Sequence, residues 1–163
     1  MTTKYITDNT TTFNGISYVS GDCITGVEDT RLKQSEPTVN LGSEGDLEVT
    51  KYGVGDHSHT IIKFPTSGIS GAVTVSACEL GFYVYGSEAA QTCKITQLLR
   101  NWVEAQATWN IYSTGNSWTT GGALSDGNDR AASATASGIT MPEDDWVVYT
   151  EADGGNLCTL IQN

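Results

Sequence analysis

The chain has two histidines, His57 and His59, and a β-strand running through them would set both rings on one face. Such a pair could hold a metal ion, but a tight site needs a third ligand and none follows nearby in sequence. A solvated strand edge is the plainer reading. Asp126, Asn128 and Asp129 offer oxygen atoms of the kind calcium takes, although Arg130 breaks the spacing of an EF-hand loop. They stand as weak calcium candidates, with no other metal or cofactor expected. Glu143, Asp144 and Asp145 bring carboxylates together, yet adjacent residues cannot flank a glycosidic bond at the separation that a catalytic pair requires. A solvated turn accounts for them. No G-x-S-x-G elbow, H-E-x-x-H helix or phosphate-cradling glycine loop occurs. No catalytic residues are assigned, and the chain is expected not to be an enzyme.

Aromatic side chains offer a different chemistry, because the faces of Trp and Tyr can stack on sugar rings. Tyr83 and Tyr85 alternate with Leu80, Phe82 and Val84, so they point away from the apolar face of their strand and are ligand-binding candidates. Trp118, beside a polar segment, is the third. Trp102 and Trp109 are read instead as packing residues.

The elements that must position these residues are strands. Thr, Ser and Gly are abundant, prolines number 3, and sustained helical periodicity is absent, as in an all-β chain with many turns. The pattern predicts strands at Thr12–Val19, Gly45–Tyr52 with Leu47 and Val49 on one face, His59–Phe64, Val73–Tyr85 and Asp145–Thr150. A turn at Gly86-Ser87 is expected to return the chain through Thr92–Leu99 as a hairpin partner of the fourth. Leu98 to Val103 reads as a short helical turn. Trp118 to Met141 reads as a long loop rich in Gly, Ala and Ser. Leu157, Leu160 and Ile161 have helical spacing and suggest a helix beginning within Gly154–Asn163.

A length of 163 residues suits one domain that buries roughly 70% of its unfolded surface. Asp plus Glu number 19 against 8 Lys plus Arg, a formal charge of −11 that repels a phosphate backbone and argues against nucleic acid as a partner. No run is long and apolar enough for a membrane span, and the polar segment after Met1 lacks a signal-peptide core. The four cysteines, Cys23, Cys78, Cys93 and Cys158, show no C-x-x-C spacing. Cys78 shares the inward face of Leu80 and Phe82 and reads as a buried thiol.

Several motifs share an order with a known family. Asp29-Thr30 is followed by Pro37, Asn40 and Gly42, and then by Leu47-Glu48-Val49. Ile61-Ile62-Lys63-Phe64 and Ala77 to Tyr83 come next. Trp102-Val103-Glu104, Ala107-Thr108-Trp109-Asn110, Trp118 and Gly121-Gly122 complete the set. This order resembles the DNRLRE-type β-sandwich domain, which is related to polysaccharide-binding and cell-surface adhesion modules. The likeness covers about residues 27 to 163 and leaves 1–26 as an N-terminal arm. Two departures stand out. His59-Thr60 replaces the basic residue usual before the Lys-Phe strand, and the family's final strand is missing after Ile161. The resemblance implies a jelly-roll-like β-sandwich without catalytic residues, with Trp102, Glu104, Thr108, Trp109 and Asn110 as its structural motif.

Two functional readings follow. The first is a structural protein of a virus particle, such as a bacteriophage capsid decoration or tail component, placed on the virion surface and assembling with other subunits as a homo-oligomer. An initiator Met before a polar arm and an incomplete last strand suit it, since an open sheet edge invites pairing between subunits. The alternative is a carbohydrate-binding or adhesin module from a longer secreted protein, with a polysaccharide as its partner.

Overall fold

The computed structural model describes residues 26–51, 53–66, 69, 74–75, 77–86, 91–142, 144–150 and 157–158, together with the backbone of four short strands before them. These are β1 (Tyr5–Ile6), β2 (Thr12–Phe13), β3 (Ile16–Ser17) and β4 (Cys23–Ile24). β1 pairs in parallel with β4, and β2 pairs antiparallel with β3. The expected strand at Thr12–Val19 is therefore two short paired strands, with Asn14, Gly15, Tyr18 and Val19 outside the described residues. Asn14-Gly15, which separates its two arms in sequence, is the dipeptide that most favours a tight hairpin turn.

Nine further strands follow: β5 (Glu28–Lys33), β6 (Thr50–Lys51), β7 (His57–Lys63), β8 (Glu79–Val84), β9 (Gln91–Ile95), β10 (Ile111–Ser113), β11 (Asn116–Ser117), β12 (Ala136–Met141) and β13 (Asp145–Thr150). The fold is all-β, built from mainly antiparallel strand pairs as a β-sandwich is. Among the described residues only Leu157 and Cys158 have helical backbone. They fall in the expected C-terminal helix, the rest of which lies outside the described residues.

The chain divides into two compact units. One comprises Gly26–Pro65 and Leu98–Ala132, with a sheet in the order β5-β7-β6 and the hairpin β10-β11. β5 alternates, so that Thr30 and Leu32 face inward at 1% and 0% exposure, and Ile61 of β7 joins them. Trp102, Trp109, Trp118, Ala107 and Ala123 complete this core. The predicted strand at Gly45–Tyr52 shrinks to β6, with Leu47 and Val49 exposed. Ahead of β6 the segment is held by side chains instead of a ladder: Thr60 Oγ1 donates to the Glu48 carbonyl, and Arg31 reaches the carboxylates of Glu44 and Glu48. The helical turn expected at Leu98 to Val103 is also absent. Leu98 bridges Arg130, and the Leu99 N–H donates to the Asp129 carbonyl, which draws the backbone out.

The other unit comprises Met1–Thr25, Thr66–Gln97 and Ser133–Asn163. Its core gathers Ala136, Ile139, Tyr149 and Leu157, with Cys78, Leu80, Ile95 and Val147 packed against them. β8 pairs with β13 and β9 pairs with β12, both antiparallel. The hairpin expected between β8 and β9 does not form. Pairing with β13 sets Tyr149 opposite Leu80 and Val147 opposite Phe82, an apolar match that the polar strand Gln91–Ile95 could not supply. β12 likewise replaces the end of the predicted loop.

Trp109 explains the Gly-Gly that follows it. A Cβ on Gly121 would lie 2.6 Å from Trp109 Nε1, and one on Gly122 would lie 2.6 Å from Trp109 Cη2. Gly122 also holds a φ of +73°, so a side chain there meets both a steric and a backbone penalty. Gly122→Ala is expected to lower stability by roughly 2 kcal/mol or more, read as a shift of the urea midpoint at unchanged slope.

Candidate functional site

Tryptophan and its neighbours first separate into structural and exposed groups. Trp102 is buried, with the Lys63 ammonium 5.3 Å from its ring centre. The Glu104 carboxylate accepts the Asp29 N–H at 2.8 Å, while Asn40 Nδ2 donates to the Glu104 and Ala107 carbonyls at 2.6 and 2.8 Å. Thr108 Oγ1 accepts the N–H groups of Asn110 and Ile111. The Glu104 bond caps an amide on the edge strand β5, and those of Asn40 and Thr108 hold turns that have no ladder to satisfy them. Trp118 corrects an expectation, for it is 5% exposed and its indole N–H donates to the Thr108 carbonyl at 2.9 Å. It packs beside Tyr112 and presents no face to a ligand.

The calcium candidates are corrected too. Asp129 is fully buried, and its two oxygens accept the N–H groups of Thr119 and Thr120 at 2.9 Å each and that of Ser125 at 3.4 Å, with Arg100 Nε at 3.4 Å. Donors occupy the lone pairs that a cation would need. Asp126 pairs with Arg130, and Asn128 donates to Ser125 Oγ. The first part of the segment read as a long loop, from Thr119 to Arg130, is thus wound around one anion. Burial pushes the Asp129 carboxyl up, but the Thr119 and Thr120 amides and Arg100 outweigh it and hold the group below the ordinary carboxylate range.

His57 and His59 share a face of β7, with ring centres 6.3 Å apart. His59 Nδ1 lies 2.9 Å from the Gly122 carbonyl, and because that oxygen can only accept, Nδ1 carries the proton. The ring also rests against Trp109, at 5.3 Å, so His59 packs into the frame instead of standing at a solvated edge. Among the described residues no three His, Cys, Asp or Glu side chains group as metal ligands.

Tyr83, Tyr85 and Trp146 remain exposed, at 49%, 56% and 36%. Register places Tyr83 directly opposite Trp146, and their rings meet edge to face, with centres 5.7 Å apart and planes at 73°. The Tyr83 hydroxyl donates to the Asp144 carbonyl at 3.0 Å, and the Gly86 N–H donates to Asp144 Oδ1 at 3.3 Å. Asp144 holds a φ of 47°, a conformation Asp tolerates better than most residues. Asp144 and Asp145 are exposed, and Glu143 lies outside the described residues. An open groove of about 280 Å³ runs between β12 and β13, lined by Ser137 to Thr140 and by Val147 to Tyr149. The alternation in the sequence set Tyr83 and Tyr85 outward, as they lie, and did not single out Trp146 beside them. Its signal was present: with Val147 and Tyr149 on the inward face of the strand, alternation puts Trp146 on the outer side.

A scan of family models matches residues 22–121 to carbohydrate-binding module family 96. The chain belongs to that family. The matched residues hold Tyr83 and Tyr85 and most of the Trp102-to-Gly122 motif, and they end before β12 and β13. A family 96 match identifies a carbohydrate-binding type of domain, which is a coarser statement than the DNRLRE resemblance. A binding-module family also agrees with a non-catalytic role for the residues it covers. Neither a search of curated proteins nor one of solved structures finds a match to the chain.

A buried carboxylate held ionised makes stability depend on pH. Because the folded value of Asp129 lies below its unfolded value of about 3.9, its contribution is complete above that value and is lost as pH falls through the folded one. Asp129→Asn, which turns an amide N–H₂ toward backbone N–H donors, is expected to cost roughly 2 kcal/mol at neutral pH and to flatten the acid limb of a plot of unfolding free energy against pH.

Proposed function

We propose that this chain binds carbohydrate through the outer face of β8 and β13, stacking sugar rings on Tyr83, Tyr85 and Trp146. The observation that carries the reading is this cluster of three exposed aromatic side chains in a chain of a carbohydrate-binding family. Large aromatic faces left in water on one side of a sheet expose apolar area that a pyranose ring can cover, and the polar edges of the site then orient the hydroxyls. The DNRLRE likeness points the same way. Family membership favours this reading over the particle-subunit one, for which the family match offers no support.

Titration calorimetry against a panel of polysaccharides tests it. The panel includes neutral and acidic polymers, since a formal charge of −11 opposes a polyanion at low ionic strength. Tyr83→Ala and Trp146→Ala are each expected to weaken saturable binding at least tenfold, about 1.4 kcal/mol, in variants whose far-ultraviolet circular dichroism shows the fold retained. Binding that survives both substitutions would move the site off this face, and a panel with no binder would sink the proposal. Trp118→Ala is unsuited to the test because it opens the core.

A further inference from the structure

We infer that the groove between β12 and β13 is a second subsite continuous with the aromatic face, so that the ligand is an extended glycan held along an internal stretch. This rests on the carbohydrate-binding reading above and deepens it. Continuity comes from β13. Val148 lies two residues beyond Trp146, on the same side of the strand, and it lines the groove. Opposite Val148 in the β8 register stands Gly81, which has no side chain to wall off the path from Tyr83. Val148, with a glycine opposite it, thus carries the groove along β13 toward Trp146.

The groove differs chemically from the aromatic face. Its β12 side carries Ser137 and Thr140, both exposed, whose hydroxyls can donate and accept. Its floor is set by Ile139 and Tyr149, buried in the core. Gly138, at a φ of +73° and at the register shift between Ser137 and Ile139, is a bulge that breaks the strict alternation of β12 and sets Ser137 and Thr140 on either side of the inward-facing Ile139. One part of the site offers ring faces and the other offers hydroxyl partners. An open groove and an open aromatic face enclose no chain end, whereas recognition of a terminal sugar calls for a closed pocket around it.

The test uses size ladders of neutral oligosaccharides from β-glucan, xylan and mannan, and of oligouronates, each running from monosaccharide to octasaccharide. They are titrated into the full chain and into two variants, the double substitution Ser137→Ala with Thr140→Val, and Tyr83→Ala. For a ladder that binds, affinity is expected to climb at least tenfold with length before it levels off. The double variant should lower the plateau for long oligosaccharides severalfold while leaving the shortest binder unchanged. Tyr83→Ala should weaken every length. Competition by the monosaccharide as strong as that by the octasaccharide would overturn the inference, as would a ladder unaffected by the double variant; in either case carbohydrate binding at the aromatic face would stand. Absence of binding by every ladder and by the parent polysaccharides would overturn both readings. Unchanged near-ultraviolet circular dichroism in the double variant confirms that its fold is intact, which both exposed positions favour.

Discussion

The register between β8 and β13 is the constraint on which the proposed site depends. Six residue pairs, from Val84 with Asp145 to Glu79 with Thr150, set Tyr83 against Trp146 on one face and Leu80 against Tyr149 on the other. Because side chains alternate with a period of two, a slip of one residue would turn one strand's whole set over. Tyr149 would then enter water and Trp146 the core. Burial of Tyr149 with Ile139, Ala136 and Leu157 resists that slip. The core thereby fixes the placement of rings it does not contain.

The unit formed by Gly26–Pro65 and Leu98–Ala132 solves a different problem. Much of its backbone after Lys63 has no ladder partner, so side chains close its turns: Asn40 on two carbonyls, Thr108 on two amides, and Asp129 on three, while Glu104 caps the Asp29 amide of the edge strand β5. A buried carboxylate would be costly without such donors. Surrounded by them it organises the segment from Thr119 to Arg130, where few apolar side chains are available. The family-like order of Trp, Glu, Thr, Trp, Asn and Gly-Gly is thus a set of turn closures and close approaches, and its indoles serve packing.

The all-β class, strand β13 with its bounds, and most of β7 were legible in the sequence. Each is a dense run of β-branched or aromatic residues whose local pattern suffices. Partners were not legible. β8 and β9 look like a hairpin because they are neighbours in sequence, and only the apolar match of Phe82 with Val147, distant along the chain, overrides that proximity. β12 was hidden because Ala136, Ser137 and Gly138 carry little strand propensity, and its pairing with β9 comes from tertiary context. Of the proposed site, the outward placement of Tyr83 and Tyr85 showed in the alternation. Trp118 misled because its surroundings are polar in composition, although the fold wraps them around its indole. Asp129 misled for the same reason: acidic oxygens near Asn suggest a cation until the backbone amides that claim them are seen.

The bond from the Tyr83 hydroxyl to the Asp144 carbonyl reaches beyond the resting structure. A tyrosine tethered at its far end and braced by a neighbouring indole has given up much of its rotational freedom during folding, so at the proposed site a sugar would meet a surface already set. The ordering cost that usually offsets contact with a mobile side chain falls on the folding of the protein and not on the capture of its ligand. If sugars stack there as proposed, a face prepared in this way would discriminate by shape: an axial hydroxyl on the stacking side would meet a ring held against swinging aside.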